Sequence, residues 1–280
     1  MKNIVVSGGT DGMGRAIALH YLQGDARVVI VGRNAEKGLA FLRAAKDIGA
    51  GERAIFIQAD LSLVRENNRV VALLQERLPR IDALLLCARH FRSRRHVTEE
   101  GFEDTFATFY LSRFVLGEAL APLLENADRP VILNLAGPGV PGGKVHWEDL
   151  GLERDYHGGV ALEQGARLND LLGVAFAKKH EGGRIKYVLL MPGLVSTSFS
   201  GDYDAAAAIQ INEMKKAGKS IADAISPIIE KIDGPPKEGL SAFAEGRAVG
   251  LDDAAFDPSA ALRLYEISRR LVSSTSNADP

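Results

Sequence analysis

The chain alternates short, continuous apolar runs with stretches of helical spacing, and that alternation limits its fold more than any other feature. The runs are Ile4-Val5-Val6, Arg27 to Val31, Ala54 to Ile57, Ala83 to Leu86, Val131 to Leu135 and Ile185 to Leu190. Between them, residues 12–23, 35–48, 62–77, 101–126 and 160–180 carry apolar side chains at helical intervals. A strand that is apolar at consecutive residues has no face for water and must be covered on both sides, and strands joined through helices run parallel. The pattern predicts an α/β doubly wound parallel sheet with helices on both faces and right-handed crossovers. A seventh strand is expected near 240–249 and a helix over 258–272. No stretch reads as a linker, so a single domain over 1–280 is expected. A segment at about 196–218 should lie as a lid over the carboxyl ends of the strands, where such sheets hold their ligands. The polar tail 273–280 reads as frayed.

The first run leads into Ser7-Gly8-Gly9-Thr10-Asp11-Gly12-Met13-Gly14-Arg15. Glycines at 8, 12 and 14 let the backbone turn sharply and approach a ligand, and the helix start behind them offers free N–H groups and a positive dipole end to an anion. A nucleotide phosphate is the natural guest, with a plain tight turn as the alternative.

Composition narrows the partners. A formal charge of -2, with 46% hydrophobic and 25% charged residues, gives no global attraction to nucleic acid or membrane, and neither is expected as a partner. Cys87 is the single cysteine, so no intrachain disulfide can form. A reducing cytoplasm and a buried, inert thiol are the expectation. His20, His146 and His180 show no metal-ligand spacing, and no metal is expected.

Three separated motifs, in order, resemble the short-chain dehydrogenase/reductase (SDR) family, whose domain is a Rossmann fold. Ser7-Gly8 through Gly14 is similar to the family's Thr-Gly-x-x-x-Gly-x-Gly turn, Asp60-Leu61 to its adenine-binding Asp-Leu, and Pro192-Gly193-Leu194-Val195-Ser196-Thr197 to its Pro-Gly segment before the lid. The resemblance implies dinucleotide binding by Gly8, Thr10, Asp11, Gly12, Met13, Gly14, Arg33, Asn34, Asp60, Leu61, Cys87, Ala88, Arg167, Pro192, Gly193, Val195 and Thr197. At the end of the second run, Gly32 vacates the place where an acid would bind ribose hydroxyls, and Arg33 offers a fork of donors to a 2′-phosphate. NADP is therefore expected, with NAD possible. A solvated Arg33 is the alternative reading, and Asp11 stands where many NADP-specific relatives carry a basic residue.

The family's reacting groups are missing. By register, Phe109 stands at the asparagine, Gly137 at the serine, Glu163 at the tyrosine and Arg167 at the lysine four residues on. Glu163 and Arg167 are spaced for an ion pair on one helix face. Such a glutamate would serve as base or acceptor more readily than as acid. Tyr156, Tyr110 and His157 are further proton-donor candidates. The resemblance implies an oxidoreductase with a non-standard site, acting on a carbonyl or alcohol substrate. A non-redox cyclase- or dehydratase-type enzyme with Glu163 as base, or a catalytically inactive nucleotide-binding protein, are the alternatives. The basic stretch Arg89-His90-Phe91-Arg92-Ser93-Arg94-Arg95-His96 is either a solvated loop neutralised by nearby acids or a capture site for an acidic or carrier-linked substrate. By analogy, the helices 101–126 and 160–180 would pair with their counterparts in a homodimer or homotetramer.

Overall fold

The computed structural model describes residues 1–276. Its elements follow the alternation: β1 (Asn3–Ser7), α1 (Gly12–Gln23), β2 (Arg27–Gly32), α2 (Ala35–Asp47), β3 (Ala54–Gln58), α3 (Val64–Arg77) and β4 (Ala83–Leu86). A short β5 (Phe91–Arg92) precedes α4 (Asp104–Phe106), which continues through a π-helical turn (Ala107–Leu111) into α5 (Ser112–Glu125). Next come β6 (Val131–Leu135), α6 (Gly158–Lys179), β7 (Lys186–Met191), a short β8 (Gly201–Asp202), α7 (Ala205–Ala217) and α8 (Ile221–Asp233). The chain ends with β9 (Leu240–Ala244), β10 (Arg247–Ala248) and α9 (Pro258–Ser276).

The main sheet has the order β10-β9-β7-β6-β4-β1-β2-β3. It is parallel except for the β9/β10 pair. Successive residues of a strand serve opposite faces. Val5, Val29, Val31, Leu84 and Leu189 pack with α3, α5, α6 and α9, while Ile4, Val6, Ile30, Leu85 and Val188 pack with α1, α2 and α8. The doubly wound sheet is as expected, with eight strands in place of seven. Glu245 (φ 50°) and Gly246 (φ 81°) both take the left-handed conformation of a two-residue hairpin turn, so the last run folds back on itself as β9 and β10.

Two features frame the carboxyl edge of the sheet. Strand order reverses around β1, with β2 on one side and β4 on the other, which opens a crevice beyond the carboxyl ends of these strands. The loop after β4 and the segment after β7 are joined in a second, two-stranded parallel sheet, Phe91 opposite Gly201 and Arg92 opposite Asp202.

The α9 helix extends beyond the expected 272, so residues 273–276 are helical rather than frayed; 277–280 lie outside the described residues. It packs on α5, α6 and the π-helical turn. Tyr110 Oη and Ser268 Oγ lie 2.6 Å apart, the Phe114 and Tyr265 rings meet edge-on at 5.5 Å, and Lys179 Nζ donates to Tyr265 Oη at 2.6 Å. Self-association through these faces of α5 and α6 would have to displace α9.

Candidate active-site cleft

The glycine turn is shaped by close approach. A Cβ at Gly8 (φ 70°) would fall 2.7 Å from the Ala88 backbone, and one at Gly14 would fall 2.4 Å from the Gly8 carbonyl oxygen. Gly12 (φ 52°) needs its conformation rather than space, since a Cβ there would meet Thr197 at an ordinary 3.5 Å. Asp11 caps α1 by accepting from the Gly12 N–H at 2.7 Å. The turn opens into a cleft of about 620 Å³ lined by Gly8, Thr10, Asp11, Gly12, Met13 and Gly14, and further by Arg33, Asn34, Asp60, Leu61, Cys87, Ala88 and Thr197. A bare-backbone cradle with a helix N-terminus behind it fits a dinucleotide pyrophosphate.

Asp11 is neutralised from elsewhere in the chain. Its carboxylate accepts from Lys37 Nζ and, at 2.9 Å, from Ser198 Oγ. Although burial opposes ionisation, these bonds and the Gly12 N–H hold its carboxyl below the ordinary range. Lys37 also lines the cleft, and Asn34 Oδ1 caps α2 by accepting from the Lys37 N–H at 2.8 Å. A Cβ at Gly32 would fall 2.8 Å from the Thr10 side chain, so packing as well as charge disfavours an acid there. Asp60 Oδ1 accepts from the Ser62 N–H and hydroxyl at 3.0 and 2.8 Å, which fixes its loop. Burial pushes the Cys87 thiol up to about 12, leaving it protonated at neutral pH.

Pro192, Gly193 and Val195 lie outside the cleft lining and shape the entry to the lid. Gly193 (φ 87°) leaves no room beside Glu245, and the backbone on both sides of Val195 pairs with Lys219, at 2.9 and 3.0 Å. From Thr197 onward the lid faces the cleft through Ser198, Phe199, Tyr203, Ile211 and Met214.

Phe109, Gly137, Glu163, Arg167 and Tyr156 do not line the cleft. Phe109 is buried within the π-helical turn, and the guanidiniums of Arg113 and Arg89 lie 4.5 and 5.6 Å from its ring centroid. Gly137 backs onto Ala166. Glu163 is exposed and makes no ion pair among the described residues. The structure does not form the Glu163–Arg167 pair, because three nearer acceptors engage Arg167. It donates to Gly143 O at 3.0 Å, Val140 O at 3.2 Å and Asp170 at 3.2 Å. Tyr156 Oη donates to Arg92 O at 3.2 Å, and burial pushes its phenol up to about 12. Tyr110 is buried against Ser268.

Of the proton-donor candidates, His157 faces the cleft. It caps α6, and its Nδ1 accepts from the Gly159 N–H at 3.2 Å, which leaves the proton of the neutral ring on Nε2. The signal in the sequence was its position just before the glycine pair that opens α6.

Behind the cleft floor lies a buried polar cluster that no local sequence pattern announces. Arg113 donates to Asn134 Oδ1, to Leu135 O at 2.9 Å and to Ala88 O at 3.0 Å. Asn134 donates to Asn169 Oδ1 at 2.9 Å and to Tyr187 Oη at 2.8 Å, and Asn169 donates to the Phe109 carbonyl, within the π-helical turn, at 2.8 Å. Burial pushes the Arg113 guanidinium down to about 9, still charged at neutral pH.

Asp170 is also buried. One carboxyl oxygen accepts from the Gly139 N–H at 3.1 Å and from Arg167, the other has no partner, and burial pushes the group up to about 7. The native carboxyl then keeps its proton up to about pH 7, while the unfolded chain releases it near pH 4. Stability from this group is greatest below pH 4, falls as pH rises towards 7 and is level above. Asp170→Asn keeps the acceptor and removes the titration. Its stability relative to wild type, measured by thermal unfolding, is expected to rise from pH 5 to pH 8 by an amount of the order of 2 kcal/mol. A parallel pH dependence in both proteins contradicts this assignment.

The basic stretch after β4 is largely engaged. His90 Nε2 lies 2.9 Å from Asp104, Arg92 Nε donates to the same carboxylate at 2.6 Å, and Arg95 donates to Gly151 O at 2.9 Å. Against burial, His90 and Arg92 hold the Asp104 carboxyl far below its ordinary range. Arg89 has no ion pair among the described residues and lines the cleft. Among those residues, no His, Cys, Asp or Glu group could hold a metal, and no helix is long and apolar enough to cross a membrane.

The chain is similar in sequence and fold to known proteins. The family model for short chain dehydrogenases matches residues 2–140. The mouse (Mus musculus) retinol dehydrogenase 14 is 26% identical over a 292-residue alignment that covers 97% of this chain and 86% of the relative. A solved structure from Escherichia coli CFT073, complexed with NADPH, superposes with a TM-score of 0.67 at 20% identity, covering 88% of this chain and 97% of that one. An NADPH-bound carbonyl reductase from chicken fatty liver gives a TM-score of 0.68 at 16% identity, covering 89% and 99%.

Proposed function

The chain belongs to the short-chain dehydrogenase/reductase family, and we propose that it is an NADP-binding oxidoreductase acting on a carbonyl or alcohol substrate through a non-standard site. The carrying observation is the continuity of one cleft, from the glycine cradle and Arg33 at one end to the apolar lid at the other. The NADPH complexes of similar folds and the retinol and carbonyl chemistry named for its relatives support this reading.

NADP(H), when bound, would provide hydride-transfer chemistry. The backbone from Gly8 to Gly14 would hold the pyrophosphate, Arg33, Asn34 and Lys37 the 2′-phosphate, Asp60 and Leu61 the adenosine, and Cys87, Ala88 and Thr197 the nicotinamide half. Leu135, Leu162, Phe199 and Met214 exclude water from the substrate end. His157 Nε2–H donates a hydrogen bond to the substrate oxygen, and the proton that this oxygen takes up in reduction comes from solvent, to which His157 is open. Arg167 acts through position: it ties Val140 and Gly143 to α6 beside the cleft. The absence of the family's reacting groups at Phe109, Gly137, Glu163 and Arg167 favours, as a second reading, a protein that binds the nucleotide without turning it over.

NADPH oxidation, followed by absorbance over a panel of carbonyl compounds, tests the proposal. Turnover that falls at least tenfold in His157→Ala is expected; tight NADPH binding without turnover on any member fails the first reading and leaves the second. For the cofactor, hydrogen bonds to a charged phosphate contribute about 1.5–3 kcal/mol each. Arg33→Ser with Lys37→Ser is therefore expected to weaken NADPH binding more than tenfold while leaving NADH within a fewfold. Equal losses for both cofactors contradict the 2′-phosphate assignment.

A further inference from the structure

The substrate end of the cleft has a charge that the reaction does not use. Arg89 presents its guanidinium there, resting over the Phe109 ring. The acidic side chains that line the cleft are Asp11 and Asp60. Both belong to the cofactor end, Asp11 bound to Lys37 and Asp60 turned onto Ser62. The acids that follow the basic loop in sequence are taken as well: Glu99 and Glu100 by Arg65, Glu103 by the N–H groups of Thr105 and Phe106, and Asp104 by His90 and Arg92. Tyr203, the phenol beside Arg89, donates its hydroxyl to Phe199 O.

A second donor stands at the same end. Thr108, one residue before Phe109, lines the cleft as a residue only 7% exposed, and its Oγ1 has no hydrogen-bond partner among the described residues. A buried hydroxyl without a partner is costly, and a guanidinium held over an aromatic ring is pre-organised for a planar, two-oxygen acceptor. Around them the walls are Leu135, Leu162, Phe91 and Met214.

We propose that Arg89 and Thr108 form a carboxylate-binding subsite, so that the substrates of this cleft are apolar compounds bearing a carboxylate as well as the reacting carbonyl or alcohol. This substrate class rests on the oxidoreductase reading; the subsite itself is a binding property and is tested without turnover.

The test compares 4-phenylbutyrate with its neutral, nearly isosteric amide by calorimetric titration, with and without saturating NADPH. The acid is expected to bind at least tenfold more tightly than the amide. Arg89→Gln should abolish that preference and leave the NADPH affinity and melting temperature within error, and Thr108→Val should weaken the acid several-fold without weakening the amide. An acid bound no better than the amide, including no detectable binding of either, overturns the proposal. So does an Arg89→Gln variant that loses NADPH affinity tenfold while retaining the acid preference, which would assign the guanidinium to the nucleotide. An acid preference in a protein that oxidises no NADPH leaves the subsite standing and removes the oxidoreductase reading alone.

Discussion

Arg113→Leu is expected to destabilise the protein by about 3–5 kcal/mol, read as a fall of roughly 10 °C in melting temperature or a matching shift in urea midpoint. Leucine fits the apolar surroundings, but it orphans three acceptors at once, the Asn134 amide oxygen and the carbonyls of Leu135 and Ala88. Each buried acceptor left without a donor costs about 1–3 kcal/mol. Arg113→Lys should recover only part of the loss, because one ammonium on a flexible stem cannot reproduce a planar fork across Asn134, Leu135 and Ala88. The damage should extend to the ligand, since Ala88 lines the cleft and backs Gly8. Weaker NADPH binding in the lysine variant, measured below its unfolding range, is the accompanying result. A leucine variant within 1 kcal/mol of wild type would show that the cluster is not what holds the cleft floor.

Gly8→Ala is expected to abolish measurable NADPH binding, a loss beyond a hundredfold. The new methyl would fall 2.7 Å from both Ala88 Cα and Ala88 N, backbone atoms that cannot turn aside, and the residue would also carry the left-handed conformation at about 1–2 kcal/mol. Strand β4 must then move away from β1 at the point where the cradle is built. Gly12→Ala separates conformation from space. Its φ is also positive, but the nearest heavy atom is 3.5 Å away. It should lose no more than about 1–2 kcal/mol of stability, and its NADPH loss should be smaller than that of Gly8→Ala. Titration of NADPH fluorescence alongside thermal unfolding distinguishes the two. Gly8→Ala binding within threefold of wild type would contradict the cradle.

Much of the fold was legible because the signals were local. Val28 to Val31 and Leu84 to Leu86 are apolar at every residue because each is covered on both faces, and a window of a few residues displays that need. The hairpin between β9 and β10 was hidden because Glu245 takes a conformation that its residue type does not announce. The cleft divides in the same way. The glycine turn and Asp60-Leu61 are contiguous, and they line it. Lys37 and Asp11 are 26 residues apart, and nothing in either neighbourhood foretells their pairing. The spacing of Glu163 and Arg167 suggested a pair, but Asp170, three residues beyond Arg167, and the carbonyls of a distant loop were better acceptors. Arg113 lies between Leu111-Ser112 and Phe114-Val115, where sequence alone cannot distinguish a buried arginine from a solvated one; its partners are 21 to 25 residues away.

The small sheet of β5 and β8 joins two segments that both line the cleft. Phe91 N donates to Ser200 O at 3.2 Å and Ser93 N to Asp202 O at 2.9 Å, so the basic loop and the lid are stitched together by backbone. Neither leaf can swing without unpicking the other. Two-residue strands form a weak seam. Arg92 is anchored to Asp104 beside the seam, on the loop side. A guest that spans both leaves would hold them shut, and its residence time would then be a property of the seam as much as of its own contacts.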